Sequence, residues 1–250
     1  MPDRKAESLR VTGFTPATWA EPIDELWAAV VGAPPEQINQ RPREATANVE
    51  GLFEGARLVL AREPKRTDWI WVVNVDGTAP LKEFPAIGEF ETVSKAFLTL
   101  VKTWLKRDLS LNRIAWGGVL VLPVANREDG YRTLGDFLPQ LKIDPVGSSD
   151  LHYQINRPRT SKVIEGLRVN RLCRWSVALK QGMSIGLVLS PDAAEAVGGP
   201  TGPGFSACRL ELDINSDGAR KEPFAANQLV PLLDEFVGLA EEIAERGDVP

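Results

Sequence analysis

"YQINRPRTSKVIEGLRVNRLCRW", residues 153–175, carries six cations, Arg157, Arg159, Lys162, Arg168, Arg171 and Arg174, against one acid, Glu165. It is either a binding surface for a polyanion or part of a sheet whose charges are answered elsewhere in the chain. The residues from Leu167 onward decide for a strand. Leu167, Val169, Cys173, Trp175, Val177 and Leu179 fall on one face, and Arg168, Asn170, Arg174, Ser176 and Lys180 on the other. FSACRLELDINS (205–216) alternates in the same way, with Cys208, Leu210, Leu212 and Ile214 opposite Arg209, Glu211 and Asp213. Were the two strands neighbours, Glu211 and Asp213 would neutralise Arg168 and Arg174, at about 0.2–1 kcal/mol per pair.

Arg171 interrupts the apolar row. It needs either an acidic partner or a bulge that turns it outward. Arg157, Arg159 and Lys162 lie on NRPRTSK (156–162), with no acid within reach along the sequence, and are expected to stay exposed. Arg157, Arg159, Lys162, Arg168 and Arg174 are therefore the candidate partner-binding or anion-binding residues.

The rest of the composition works against a general polyanion binder. The 250 residues are 43% hydrophobic and 25% charged, with a net charge of −5 and a pI near 5.2. The polar N-terminus, MPDRKAESLR, shows no signal peptide, and no apolar run reaches the ~20 residues of a membrane span. Two cysteines, Cys173 and Cys208, fit a reducing cytoplasm. His152 is the single histidine, which disfavours histidine-based metal sites. No cofactor is implied.

Residues 1–50 read as an N-terminal extension with one helix in WAEPIDELWAAVV, where Leu26, Trp27 and Val30 recur at helical spacing. GARLVLARE, EPKR and TDWIWVVNV then read as strand, turn and strand. A helix over 88–107 places Phe90, Val93, Phe97, Leu100, Val101 and Trp104 on one stripe. NRIAWGGVLVLPV (112–124) is a strand, with Gly117-Gly118 marking a bulge or a close backbone approach. GYRTLGDFLPQL is a short helix ended by Pro139, and LHYQINRP is a strand. GLRVNRLCRWSVALK is expected to turn at Gln181-Gly182 into MSIGLVLS. GGPTGPG (198–204) reads as a mobile loop. A closing helix spans about 228–245, with Asn227 as its cap and Pro231 in its first turn. The expected fold class is α+β, as two strand-strand-helix-strand halves, 51–145 and 146–250, with antiparallel sheet covered by long amphipathic helices. Together with the extension they would form one compact unit.

Three passages carry a resemblance. They are FETVSKAFLTLVKTWLKRDLSLNRIAWGGVLVLPV, the strand FSACRLELDINS with its acidic tip, and LLDEFVGLAEEIAERGDV. They resemble a sporadically distributed family of uncharacterised bacterial proteins of about this length, over roughly residues 54–246. The resemblance implies a fold and no activity. It suggests accessory proteins of mobile or antiviral-defence loci.

No motif supplies a catalytic set. DINSDG (213–218) fits the opening of a calcium loop, but its twelfth position is Phe224 and a strand precedes it, so we read a turn. Neither GGPTGPG nor WGGV has phosphate-loop spacing. Trp19 and Trp27 are candidate hydrophobic anchors for a partner, although core packing is the commoner fate of such residues. The leading expectation is a non-catalytic cytoplasmic accessory protein that binds another protein. The alternatives are a nucleic-acid-binding accessory using residues 157–174, and an enzyme using His152 with carboxylates. The partner and the oligomeric state are not legible in the sequence.

Overall fold

KAESLRVTGF, inside the segment read as an extension, forms the middle strand of the sheet. In the computed structural model the described residues are 3–19, 21–75, 81–190 and 193–249, without the side chains of 182–202. The chain runs β1 (Lys5–Phe14), α1 (Ile23–Val31), β2 (Gln37–Arg41), β3 (Thr46–Phe53), β4 (Ala56–Glu63), β5 (Arg66–Val72), β6 (Gly88–Glu89) and α2 (Phe90–Leu105). It continues with β7 (Arg113–Val124), α3 (Arg127–Phe137), β8 (Tyr153–Asn156), β9 (Arg159–Thr160), β10 (Arg168–Ser190), β11 (Ala193–Ser216) and α4 (Ala226–Arg246).

All eleven strands among the described residues join one sheet in the order β2-β3-β4-β5-β1-β7-β11-β10-β8, with β6 on β1 and β9 on β10. Each strand pairing is antiparallel. The element order strand, helix, several strands, helix occurs twice. β1, α1, β2 to β6 and α2 form the first repeat, and β7, α3, β8 to β11 and α4 the second, with five strands between the helices in the first and four in the second. β1 and β7 pair at the seam. From there the sheet runs outward through β5 and β4 on one side, and through β11 and β10 on the other.

The expected fold class is thus corrected. The sheet dominates, and the repeats are not the strand-strand-helix-strand halves inferred from periodicity. The first repeat begins at β1, so residues 1–50 supply a central strand, α1, β2 and part of β3. β1 escaped notice because it needs apolar residues on one side only. Leu9 and Val11 are buried under helices, while Ser8 and Arg10 belong to the other face.

Helix periodicity was the sounder signal. Phe90, Val93, Phe97, Leu100, Val101 and Trp104 of α2 are all buried, as are Leu229, Leu232, Leu233, Phe236 and Ile243 of α4. α4 starts at Ala226, and its cap residue is Ala225, two residues before the expected Asn227, with its N–H donating to Gln228 Oε1 at 3.0 Å. Pro231 therefore lies inside the helix, at its sixth residue.

The hairpin expected across Gln181-Gly182 does not form there. β10 continues to Ser190 and pairs with β11 throughout. The register passes from Lys180↔Phe205 to Gly182↔Thr201, so the extra residues, Gly202, Pro203 and Gly204, sit opposite Gln181 as a bulge. The glycines and prolines read as a mobile loop are instead an irregularity within a strand.

Candidate functional site: the open face of the sheet at the seam

All four helices lie on one face of the sheet. Trp27 of α1 stacks on Trp69 at 6.0 Å, Phe97 of α2 on Trp71 at 6.1 Å, and Phe137 of α3 on Trp175 at 5.1 Å. Glu242 of α4 reaches Arg171 on the same side. Among the described residues the opposite face is left open except at one end. There Phe84 packs on Val121 and Ala207.

Register fixes what this face presents, because alternate residues of paired strands line up across a sheet. One row runs Val59, Ile70, Arg10, Gly117, Asp213, Leu172 and Asn156. The next runs Arg57, Val72, Ser8, Val119, Glu211, Arg174 and Gln154. Between them lies a recess of about 370 Å³ at the β1–β7 seam. It exists because position 117 has no side chain. A Cβ there would lie 3.4 Å from both Arg10 Nη2 and the Leu212 carbonyl oxygen. Gly118 faces the helices, where a Cβ would meet the Trp116 ring at 2.7 Å. The glycine pair thus marks close approach on both faces, with no bulge at that point of the β1–β7 register.

The two sides of the face differ in chemistry. Toward the first repeat it carries an apolar strip, with Val59, Ala61, Ile70 and Val72 half-buried, edged by the pairs Arg57–Glu50 and Arg66–Asp68. Toward the second repeat it is a chain of ion pairs. Lys180 meets Glu7 at 3.0 Å, and Arg209 meets Glu7 at 3.3 Å and also Glu211. Arg174 Nη1 reaches Glu211 at 3.4 Å, while its Nε and Nη2 donate to Gln154 Oε1 at 3.0 and 2.8 Å. Arg10 is held more loosely. Its acid is Asp213, with Nη2 to Oδ2 at 3.6 Å, outside hydrogen-bond range.

Of the sequence candidates, Arg174 belongs to this face and has the expected partner, Glu211. Arg168 does not reach Glu211 or Asp213. It is exposed at the start of β10 and pairs by register with Thr160. Arg157 and Arg159 are on the helix-covered side, and the expectation that they stay exposed is corrected: both are half-buried and each is paired with an acid distant in sequence. Arg157 forms a two-pronged pair with Asp248, Nε to Oδ1 at 2.5 Å and Nη2 to Oδ2 at 2.8 Å. Arg159 does the same with Glu242 at 2.6 and 3.3 Å. Sequence distance hid both pairs, since the acids come from α4 and the segment after it. The Lys162 side chain is exposed, and its backbone N–H donates to Glu235 Oε1 at 2.7 Å.

Arg171 has the acidic partner its position demanded. It is 1% exposed, with Glu242 Oε2 at 3.7 Å from Nη2. Burial lowers its pKa, Arg159 lowers it further, and Glu242 opposes both. Asp248 gathers the neighbourhood, with its side chain 2% exposed and accepting also from Tyr153 Oη at 2.6 Å and Gln140 Nε2 at 2.9 Å. The hydrogen bonds from Arg157 hold its carboxyl below the usual range against the opposing effect of burial.

Trp27, a candidate anchor, is 1% exposed and belongs to the core. Trp19 is partly buried beneath the Arg62 guanidinium at 5.2 Å. His152 is exposed just ahead of β8, and no hydrogen bond among the described residues joins it to a nucleophile or carboxylate. DINSDG closes β11, with Asp217 Oδ1 accepting from the Ala219 N–H at 3.0 Å as an Asx turn does. Among the described residues no three His, Cys, Asp or Glu side chains gather as a metal site. Cys173 and Cys208 are buried free thiols, and burial pushes Cys208 up to about 11. The sequence reading missed Arg10 and Glu7. Only the alternation of Arg10 with Leu9 and Val11 could have pointed to the first.

Comparison with protein-family models, with curated proteins and with solved structures finds no match. No helix among the described residues is long and apolar enough to cross a membrane.

Proposed function

We propose that the protein is a non-catalytic binding protein whose working surface is the open face, and that it holds a segment of a protein partner there. The observation that carries the reading is the face itself. An apolar strip and a mosaic of paired charges meet at a recess on the seam, with no helix over them. Apolar contact supplies affinity, and fixed charges of both signs select orientation and partner.

Nucleic acid fits less well. The cations of this face stand beside acids, Arg174 and Arg209 by Glu211, Lys180 by Glu7 and Arg10 by Asp213. A phosphate backbone would have to displace those carboxylates. An accessory role in a bacterial defence-type locus is supported by the resemblance of the three passages alone.

The test is affinity capture from the native host, before and after nuclease. The wild type is compared with Gly117→Leu, which fills the recess, and Arg174→Glu. Lys95→Glu on the exposed side of α2 is the control. The reading expects a nuclease-resistant protein partner lost in the first two variants and kept in the third. Retention by both open-face variants, or capture abolished by nuclease, refutes it.

A further inference from the structure

The recess at the seam has charge chemistry more specific than a docking surface requires. Arg10 lies along Gly117, and its one acid is 3.6 Å away, so its N–H donors are not committed to a hydrogen bond among the described residues. Asp213 accepts from Asn215 Nδ2 at 2.8 Å, and its other oxygen faces Arg10 at that longer distance. Across the recess, Arg174 Nη1 and Glu211 Oε2 are a loose 3.4 Å apart. Two guanidinium groups and two carboxylates therefore border one small volume. Arg174 is also held by Gln154 and Glu211 by Arg209, so Arg10 and Asp213 Oδ2 are the least committed groups at the recess.

The rest of the lining is mixed, with Ile70, Val119 and Leu172 apolar and Ser8 and Gln154 polar. A recess of about 370 Å³ is at the small end of the range for small-molecule sites.

Balanced charge selects against ligands of one sign. A lone anion on Arg10 would stand beside Asp213, and a lone cation on Asp213 would stand beside Arg10. A phosphate dianion would face both carboxylates. A planar carboxylate suits the guanidinium fork, and an ammonium group next to it suits Asp213.

We propose that the recess binds an apolar α-amino acid as its zwitterion, with the carboxylate on Arg10, the ammonium on Asp213 and Glu211, and the side chain against Ile70 and Leu172. This goes beyond the protein-partner reading and stands or falls separately from it. The amino acid would occupy the centre of the face and thereby report its concentration to whatever docks around it.

The experiment uses three probes that share the leucine side chain and differ in which end is charged: L-leucine, N-acetyl-L-leucine and L-leucinamide. Each is titrated into the ¹⁵N-labelled full chain, following the amide signals of Gly117 and Gly118. L-leucine should shift both signals saturably in the millimolar range, and either blocked derivative should bind roughly tenfold or more weakly. Arg10→Gln and Asp213→Asn, at half-buried side chains on the open face that leave the core untouched, should each weaken leucine by at least about tenfold. No shift at Gly117 and Gly118 up to about 20 mM would overturn the proposal. So would equal binding of N-acetyl-L-leucine, which would mark a simple anion site, or undiminished binding by Arg10→Gln. None of these results bears on partner capture, which is read separately with Gly117→Leu.

Discussion

The two repeats share a topology and hold together differently. Beneath the first, α1 and α2 bury a chain of aromatic rings. Trp27 stacks on Trp69, Trp69 meets Trp104 at 6.4 Å, and Trp71 stacks on Phe97. Beneath the second, the corresponding space is partly ionic. Arg171 sits in the core row beside Glu242, and Arg157 is clamped on Asp248. Arg4 lies over Phe137 at 4.3 Å and Trp175 at 5.1 Å, its Nε donating to the Ala244 carbonyl oxygen at 2.8 Å. One arrangement of strands and helices thus accepts either cohesion. Aromatic burial is indifferent to pH, whereas the ionic core ties the second repeat to the protonation of its acids.

The largest effects should come from the rings. Trp69→Ala and Phe97→Ala in the first repeat, and Phe236→Ala in the second, should each cost about 3–5 kcal/mol, read from denaturant midpoints. Unchanged midpoints would mean that these stripes do not form the core.

The second repeat should show an asymmetry the first lacks. Glu242→Ala strands Arg171, and because Glu242 is a quarter exposed the loss should be about 2–3 kcal/mol, at or below the lower end for a buried pair. Arg171→Met removes the charge itself and should change stability by no more than about 1 kcal/mol, with stabilisation an acceptable result. If Arg171→Met were the more damaging of the two, the ion pair would be cohesive in its own right.

The pH dependence sharpens the comparison further. The folded pKa of Asp248 is depressed, so its contribution is complete above the ordinary value of about 3.9 and fades as pH falls through the folded value. Loss of its bonds to Arg157 should cost about 2 kcal/mol at neutral pH. Asp248→Asn should therefore flatten stability against pH on the acid side, measured by denaturation at several pH values. A wild-type acid slope that survives unchanged in Asp248→Asn would place the sensitivity elsewhere. At the small end, Lys162→Ala and Arg168→Ala, both exposed, should each stay within about 0.5 kcal/mol.

The contrast between repeats also explains what could be read from the residues. α1, α2, the β4–β5 hairpin, β7 and the β11 segment FSACRLELDINS were all legible, because each buries a continuous stripe or row. β1 was not, since a central strand with one open face needs only Leu9, Val11 and their like. The partner of Arg174 was legible from alternation, but the partners of Arg157 and Arg159 were not. Asp248 and Glu242 are 91 and 83 residues away, and periodicity says nothing about which helix crosses which strand. The recess was half visible. Gly117-Gly118 announced close approach, but its neighbours Arg10 and Asp213 come together only when β1, β7 and β11 pair.

The central claim is that the open face, not the helix layer, meets the partner. Carboxyl footprinting of the captured complex against the free protein addresses it directly. Glu211 and Asp213 report on the open face, and Glu235, half-buried under Ser161 and Lys162, and the exposed Glu241 report on the α4 side. The account predicts that labelling of Glu211 and Asp213 falls on partner binding while Glu235 and Glu241 stay reactive. Protection of Glu235 and Glu241 with Glu211 and Asp213 unchanged would contradict it.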